Sequence, residues 1–419
     1  MFQMTMRRIL IILAILIVLA GCGIGIYFLF FAKTNPLGTG LQVGLPLSGG
    51  QSSQTGPQTG SKIATTSESS VQGTAASVLG RLVKISAGPV VPGVSVVDLK
   101  PTKATATTTA SSTDVSIHYI ERESGNIFSY RVGSKTLTRT SNRTVPGLQD
   151  ATWLPDTSAA LVRYLSGDTF STINTYALPA SSEATTTSSG FFLPQNLSGV
   201  VVSAVGLLTA ASGVNGTSVT LSHLDGTRPT SLFSTPLTAI HVSFAGKGTY
   251  LVFSRASGSL GGYAFLVDSA GRFTRIAGPL AGLTALASPS GKWVFLSFVR
   301  DGALQTALFN SKNGEIIALP VGTLTEKCAW TTDDGALYCG VPTTTSASNL
   351  YPDDWYQGVV HFSDRLWRID VSGRYAQMIL DFQEVSGETL DVTSLALDPA
   401  QTTLVFLNKN DGSLWSYSL

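Results

Sequence analysis

LTAIHVSFAGKGTYLVFSR (residues 237–255) and GLTALASPSGKWVFLSFVR (residues 282–300) share one rhythm. Each is a short apolar run, a turn of small residues and a second apolar run. Tyr250-Leu251-Val252-Phe253 and Val294-Phe295-Leu296-Ser297-Phe298 are short, apolar and rich in β-branched and aromatic residues, so both read as strands. The turn Pro289-Ser290-Gly291 recurs as Asp333-Asp334-Gly335, 44 residues on, counted from Gly291 to Gly335. Further turns follow the same beat at Asp268-Ser269-Ala270-Gly271, Ser311-Lys312-Asn313-Gly314 and Val371-Ser372-Gly373. No amphipathic helix is legible between residues 79 and 419.

A period near 44 residues, with about four short strands in each unit, is the pattern of a β-propeller blade. At the turns the chain resembles the bacterial TolB-like and WD40-like (PD40-type) propeller repeats. The first hairpin of those repeats often reads S-P-D-G. Here the copies are Leu154-Pro155-Asp156, Ser288-Pro289-Ser290-Gly291, Thr332-Asp333-Asp334-Gly335 and Leu397-Asp398-Pro399, and none is complete. The resemblance covers residues 80–419 and implies the fold, with a binding platform as the usual role.

Strand counting predicts an all-β, seven-bladed propeller over residues 79–419. Blade one uses residues 93–99, 116–121, 127–132 and 137–141. The later blades start near Leu148, Gly199, Leu237, Ala281, Thr325 and Asp391. The last blade then has only three strands, at 392–397, 403–407 and 413–418. Residues 80–86 read as an outer strand left over before blade one. The ring is therefore expected to close by pairing this N-terminal strand with the strand that holds Trp415, which removes two open sheet edges.

Residues 9–32 are almost unbroken apolar sequence. A helix of that length spans about 35 Å, enough to cross a hydrocarbon core of about 30 Å. Arg7 and Arg8 precede it, which places residues 1–8 in the cytoplasm and the propeller outside the plasma membrane, as a single-pass protein. Leu19-Ala20-Gly21-Cys22 resembles a lipobox, but the chain stays apolar after Cys22. Gly, Ser, Thr, Gln and Pro dominate residues 33–78, which read as a disordered linker. Residues 101–113 (PTKATATTTASST) read as a surface loop.

Lys plus Arg total 27 against 26 Asp plus Glu, a net charge of +1, so no strong field exists to attract nucleic acid. Only 13% of residues are charged, which leaves few to assemble a catalytic centre. No nucleophile elbow, metalloprotease helix, calcium loop or phosphate loop is present. The expectation is a chain without cofactor or metal. His118, His223, His241 and His361 fall in four blades and read as ordinary strand or loop residues. Asp333-Asp334 and Asp353-Asp354 read as turn formers. Cys328 and Cys339 flank a turn almost symmetrically in CAWTTDDGALYC, so they would face each other across a hairpin. Outside the cytoplasm a disulfide is permitted, and the alternative is two buried thiols.

One segment breaks the repeat, an insertion in blade six. Tyr351, Trp355, Tyr356, His361 and Phe362 crowd residues 350–362. Aromatics in such a loop give contact area at small entropic cost, so these residues are candidate binding residues. The other reading folds them over the channel as a buried plug, and the two are compatible. The function expected is non-enzymatic capture of a protein or glycan outside the membrane. The alternatives are a propeller hydrolase or lyase acting on glycans, and a structural part of an envelope assembly.

Overall fold

A computed structural model describes residues 80–99, 114–181 and 190–419. The expected membrane helix, linker and loop 101–113 lie outside the described residues. Among those described, no helix is long and apolar enough to cross a membrane.

Short strands between tight turns give antiparallel sheets in chain order. β1 (Leu82–Lys84) comes first. β2 (Ser95–Leu99), β3 (Asp114–Ile120), β4 (Ile127–Arg131) and β5 (Thr136–Arg139) form a four-stranded sheet. β6 (Leu148–Trp153), β7 (Ala159–Ser166) and β8 (Thr172–Pro179) form a three-stranded one. β9 (Leu197–Ser203), β10 (Gly206–Gly213), β11 (Gly216–Ser222) and β12 (Thr230–Thr235) follow. β13 (Ile240–Phe244), β14 (Thr249–Ser254), β15 (Gly261–Asp268), β16 (Phe273–Ala287), β17 (Trp293–Arg300), β18 (Ala303–Asn310) and β19 (Ile316–Ala318) share a seven-stranded sheet. β20 (Cys328–Trp330), β21 (Ala336–Pro342), β22 (Asp364–Asp370) and β23 (Tyr375–Asp381) form the next. β24 (Val392–Leu397), β25 (Thr403–Asn408) and β26 (Leu414–Ser418) take β1 as their outer strand.

The first strands of neighbouring sheets lie side by side, β6 with β9, β9 with β13, β20 with β24 and β24 with β2. They therefore surround a common axis, with the last strand of each sheet outermost. This is a β-propeller. β16 serves two sheets: its early residues pair with β15 and its later ones with β17. The outer edge of β8 is covered by residues 191–196, through Ala177 N to Phe191 O (2.8 Å), Leu193 N to Thr175 O (3.0 Å) and Asn196 N to Ile173 O (2.8 Å).

The ring closes as the leftover strand predicts. Leu82 pairs with Tyr417 and Lys84 with Trp415. Ser418 N donates to Arg81 O at 3.0 Å, and the Lys84 ammonium lies 5.4 Å from the Trp415 ring centroid. Where single-turn helices were not expected, two α-helical turns occur among the described residues: α1 (Asp353–Tyr356) inside the insertion and α2 (Phe382–Ser386) after β23. Both are too short to show a helical repeat in the sequence.

Apolar layers between neighbouring sheets hold the ring. One joins Trp293, Phe295 and Leu308 to Trp330, Leu337 and Ile369. Another joins Val405 and Leu414 to Ile117 and Tyr130. The recurring turns clamp neighbours across the same gaps. Asp334 accepts from Ser290 N at 3.1 Å, and Trp330 Nε1 donates to Leu286 O at 3.3 Å, each pair 44 residues apart. At Gly291, φ is +75° and a Cβ would fall 2.0 Å from Ala245 O, so this turn needs glycine to reach its neighbour.

Candidate functional site

The insertion runs from the end of β21 to Asp364. Its first turn forms because Asp354 accepts from Leu350 N at 2.7 Å while Asp354 N donates back to Leu350 O at 2.9 Å. Asp353 reaches a different sheet and accepts from Gly258 N at 2.5 Å. Gly258 has no side chain for a reason of space, since a Cβ there would meet Tyr351 O at 2.6 Å. The Tyr351 hydroxyl accepts from Ser346 N at 3.0 Å and Asn349 Nδ2 at 3.1 Å. Tyr351, Trp355 and Phe362 then pack with Leu304 and Leu324 into one buried cluster.

Beneath them lies an ionic centre. Lys327 Nζ stands 2.5 Å from Asp391 Oδ1 and 2.7 Å from Asp364 Oδ2, and all three side chains are fully excluded from solvent. Asp391 also accepts from Trp355 Nε1 at 3.0 and 3.1 Å and from Phe362 N at 3.0 Å. Asp364 accepts from Val392 N at 2.7 Å. The Lys327 ammonium lies 5.0 Å from the ring centroids of both Trp355 and Phe362. Burial pushes the Asp364 carboxyl up to about 6, although Lys327 pulls it down. The cluster is sealed from solvent in this structure. It pins the insertion to the axial ends of β20 and β24.

The candidate binding residues therefore separate. Trp355 is 3% exposed and Tyr356 42%. Tyr351 and Phe362 are buried, while His361 is exposed. Tyr351, Trp355 and Phe362 are buried against Leu304 and Leu324 and present little exposed area for contact. Tyr356 and His361 remain available.

Tyr356 marks a polar rim. Its hydroxyl donates to Glu326 Oε1, and Glu326 Oε2 accepts from Thr325 Oγ1 at 3.1 Å. Partial desolvation and then the Glu326 charge push the Tyr356 hydroxyl well above the ordinary tyrosine range, while Arg255 opposes them. The same two charges are felt at His241, whose pKa desolvation lowers, Glu326 raises and Arg255 lowers, with a net fall below the ordinary histidine value. His241 stacks on Phe253 at 5.0 Å, and Arg255 N bonds Ala239 O at 2.8 Å, so all three sit at one end of the β13–β14 hairpin.

His118 lies on β3 beside Ser116 (3.1 Å), and His223 follows β11; neither joins the rim. Asp333 and Asp334 form the β20–β21 turn, and Asp353 and Asp354 start α1. Cys328 and Cys339 are direct partners across β20 and β21 and are joined in a disulfide. Among the described residues, no three His, Cys, Asp or Glu side chains are grouped to hold a metal. Sequence reasoning missed Lys327, Asp364 and Asp391. The signal for Asp391 was a lone charge between apolar neighbours, Leu390-Asp391-Val392.

No protein-family model matches the sequence. No curated protein matches it either. Solved structures of similar shape include an oligogalacturonate lyase from Vibrio parahaemolyticus, 9% identical, covering 79% of this chain and 98% of that one at a TM-score of 0.48. YCF48 bound to D1 peptide is 11% identical over 81% of this chain and 94% of its own, with a TM-score of 0.48. TolB from Acinetobacter baumannii is 11% identical over 78% and 80%, with a TM-score of 0.38. At these levels the likeness concerns the fold alone.

Proposed function

We propose that this chain is a membrane-tethered interaction module, a seven-bladed propeller held outside the plasma membrane that captures a protein or glycan. The count of seven treats the β13–β19 sheet as two blades sharing β16. It also gives the β6–β8 sheet the segment 191–196 as its outer strand. The apolar run 9–32 after Arg7-Arg8 supports the tether and its orientation.

One observation carries the binding role. Tyr356 and His361 are exposed on a loop whose other aromatics are locked by the Lys327–Asp364–Asp391 centre. A rigid support lowers the entropic cost of presenting a contact surface. The test is capture from detergent-solubilised membranes with the full chain, followed by partner identification. Loss of capture in Tyr356→Ala with His361→Ala, at an unchanged melting temperature, supports the reading; undiminished capture rejects that surface. Protease added to intact spheroplasts should remove the propeller, and digestion only after lysis would reverse the orientation.

A second reading rests on the rim. A tyrosine hydroxyl bonded to a carboxylate, with the Arg255 charge and His241 nearby, is also an arrangement that a propeller glycan hydrolase or lyase could use. Glu326→Gln separates the two, since it would abolish turnover while leaving capture nearly intact.

A further inference from the structure

On the opposite end of the strands, three turns converge on a cleft of about 400 Å³ that contains no carboxylate in its lining. Lys247 comes from the β13–β14 turn, Lys292 from the β16–β17 turn and Lys312 from the β18–β19 turn. Ser290, Ser311 and Thr249 line it beside them; the Ser290 hydroxyl donates to Asp334 and the Ser311 hydroxyl to Gly291 O.

The turns are fixed relative to each other. Ser311 Oγ donates to Gly291 O at 2.7 Å and Ser311 N to Lys292 O at 2.9 Å. Gly291 packs directly on Ala245, two residues before Lys247. Among the described residues none of the three lysines makes an ion pair. Lys292 only approaches the Trp293 ring, 5.5 Å from its centroid. The acids of the neighbouring turns are already engaged. Asp334 holds Ser290, Asp268 pairs with Arg272 at 2.6 Å, and Glu315 pairs with Arg374 at 2.7 Å.

A chain whose net charge is +1 thus gathers three lysines that make no ion pair among the described residues around one cleft. We infer that this cleft binds a phosphate group. Ammonium groups hold phosphate as point charges and do not demand the planar geometry of guanidinium. Three of them around one hollow suit a compact, multiply charged anion better than a single carboxylate. The group belongs either to free phosphate or to a lipid headgroup. β1, an outer strand, begins at this same end of the ring. The lipid source alone rests on the proposed membrane tether.

The experiment titrates inorganic phosphate into the full chain by calorimetry, at constant ionic strength with chloride as the exchanged anion. The variant is Lys247→Gln, Lys292→Gln and Lys312→Gln together, with melting in phosphate-free buffer as the folding control. We expect saturable binding by the intact chain and a loss of about tenfold or more in the variant. A short-chain, monomeric phosphatidylglycerol then competes. Tighter binding than inorganic phosphate identifies a headgroup, and weaker binding identifies free phosphate. Phosphate binding no stronger than chloride, or equal binding by a folded variant, overturns the inference.

Discussion

Lys327 Nζ and Asp391 Oδ1 lie 2.5 Å apart, with both side chains wholly excluded from water and the two residues 64 positions apart in sequence. Two ions this deep stabilise little as a pair relative to an apolar replacement, but losing one partner strands the other. In Lys327→Met, Asp364 and Asp391 would face each other without a counter-charge. We expect a loss of about 3–5 kcal/mol in urea unfolding. A loss below about 1 kcal/mol would mean that the carboxylates find water or protons without disrupting the fold.

The same centre sets a pH dependence. An unfolded aspartate titrates near 4, and burial raises Asp364 in the fold to about 6 while Lys327 opposes the rise and Asp391 adds to it. Between those values the folded state holds more protons than the unfolded one, so this group's stabilisation is present below about pH 4 and is lost as pH rises through about 6. The unfolding free energy of the intact chain minus that of Asp364→Asn should therefore fall between pH 4.5 and pH 7, both within about one unit of those limits. Carboxylates remote from this centre titrate alike in both proteins and cancel. A difference that grows with pH would contradict the assignment.

Ring closure predicts that truncation is not graded. Residues 82–84 supply the outer strand of the last sheet, and Leu82 is buried among Leu404, Phe406 and Tyr417. A chain starting at residue 90 should melt earlier or aggregate, because β26 is left with an open edge. A chain starting at residue 76 should match the longer protein. Equal melting temperatures for the two would remove closure as a source of stability.

Much of this fold was legible because it repeats. Turn spacing placed the hairpins, and the incomplete last unit pointed to residues 80–86 as the missing strand. Cys328 and Cys339 were legible because they straddle one turn symmetrically. Strand starts drifted by a few residues, as at Thr325, where a 3₁₀ turn precedes β20. The ionic centre was not legible. Its members are the residue before β20, the first residue of β22 and the residue before β24, and only the ring brings those together. Nor could composition show which way an aromatic faces. Tyr351, Trp355 and Phe362 have the residue types of a contact surface and the positions of a core.

Trp355 and Tyr356 are neighbours in sequence with opposite fates, and that contrast gives the sharpest test of the insertion. The Trp355 ring fills the cluster with Phe362, and its Nε1 holds Asp391. Trp355→Ala removes that packing and leaves one acceptor bond unmade, so it should cost about 3–5 kcal/mol of stability. Tyr356 keeps 42% of its surface in solvent and bonds only to the half-exposed Glu326. Tyr356→Ala should change stability by less than about 1 kcal/mol and weaken partner capture by about 1–3 kcal/mol. Tyr356→Phe keeps the ring and loses the hydroxyl, so it shows whether the partner reads apolar area or the Glu326-bonded oxygen. If Tyr356→Ala destabilises as much as Trp355→Ala, the whole insertion is a plug, and the capture surface must lie elsewhere on the ring.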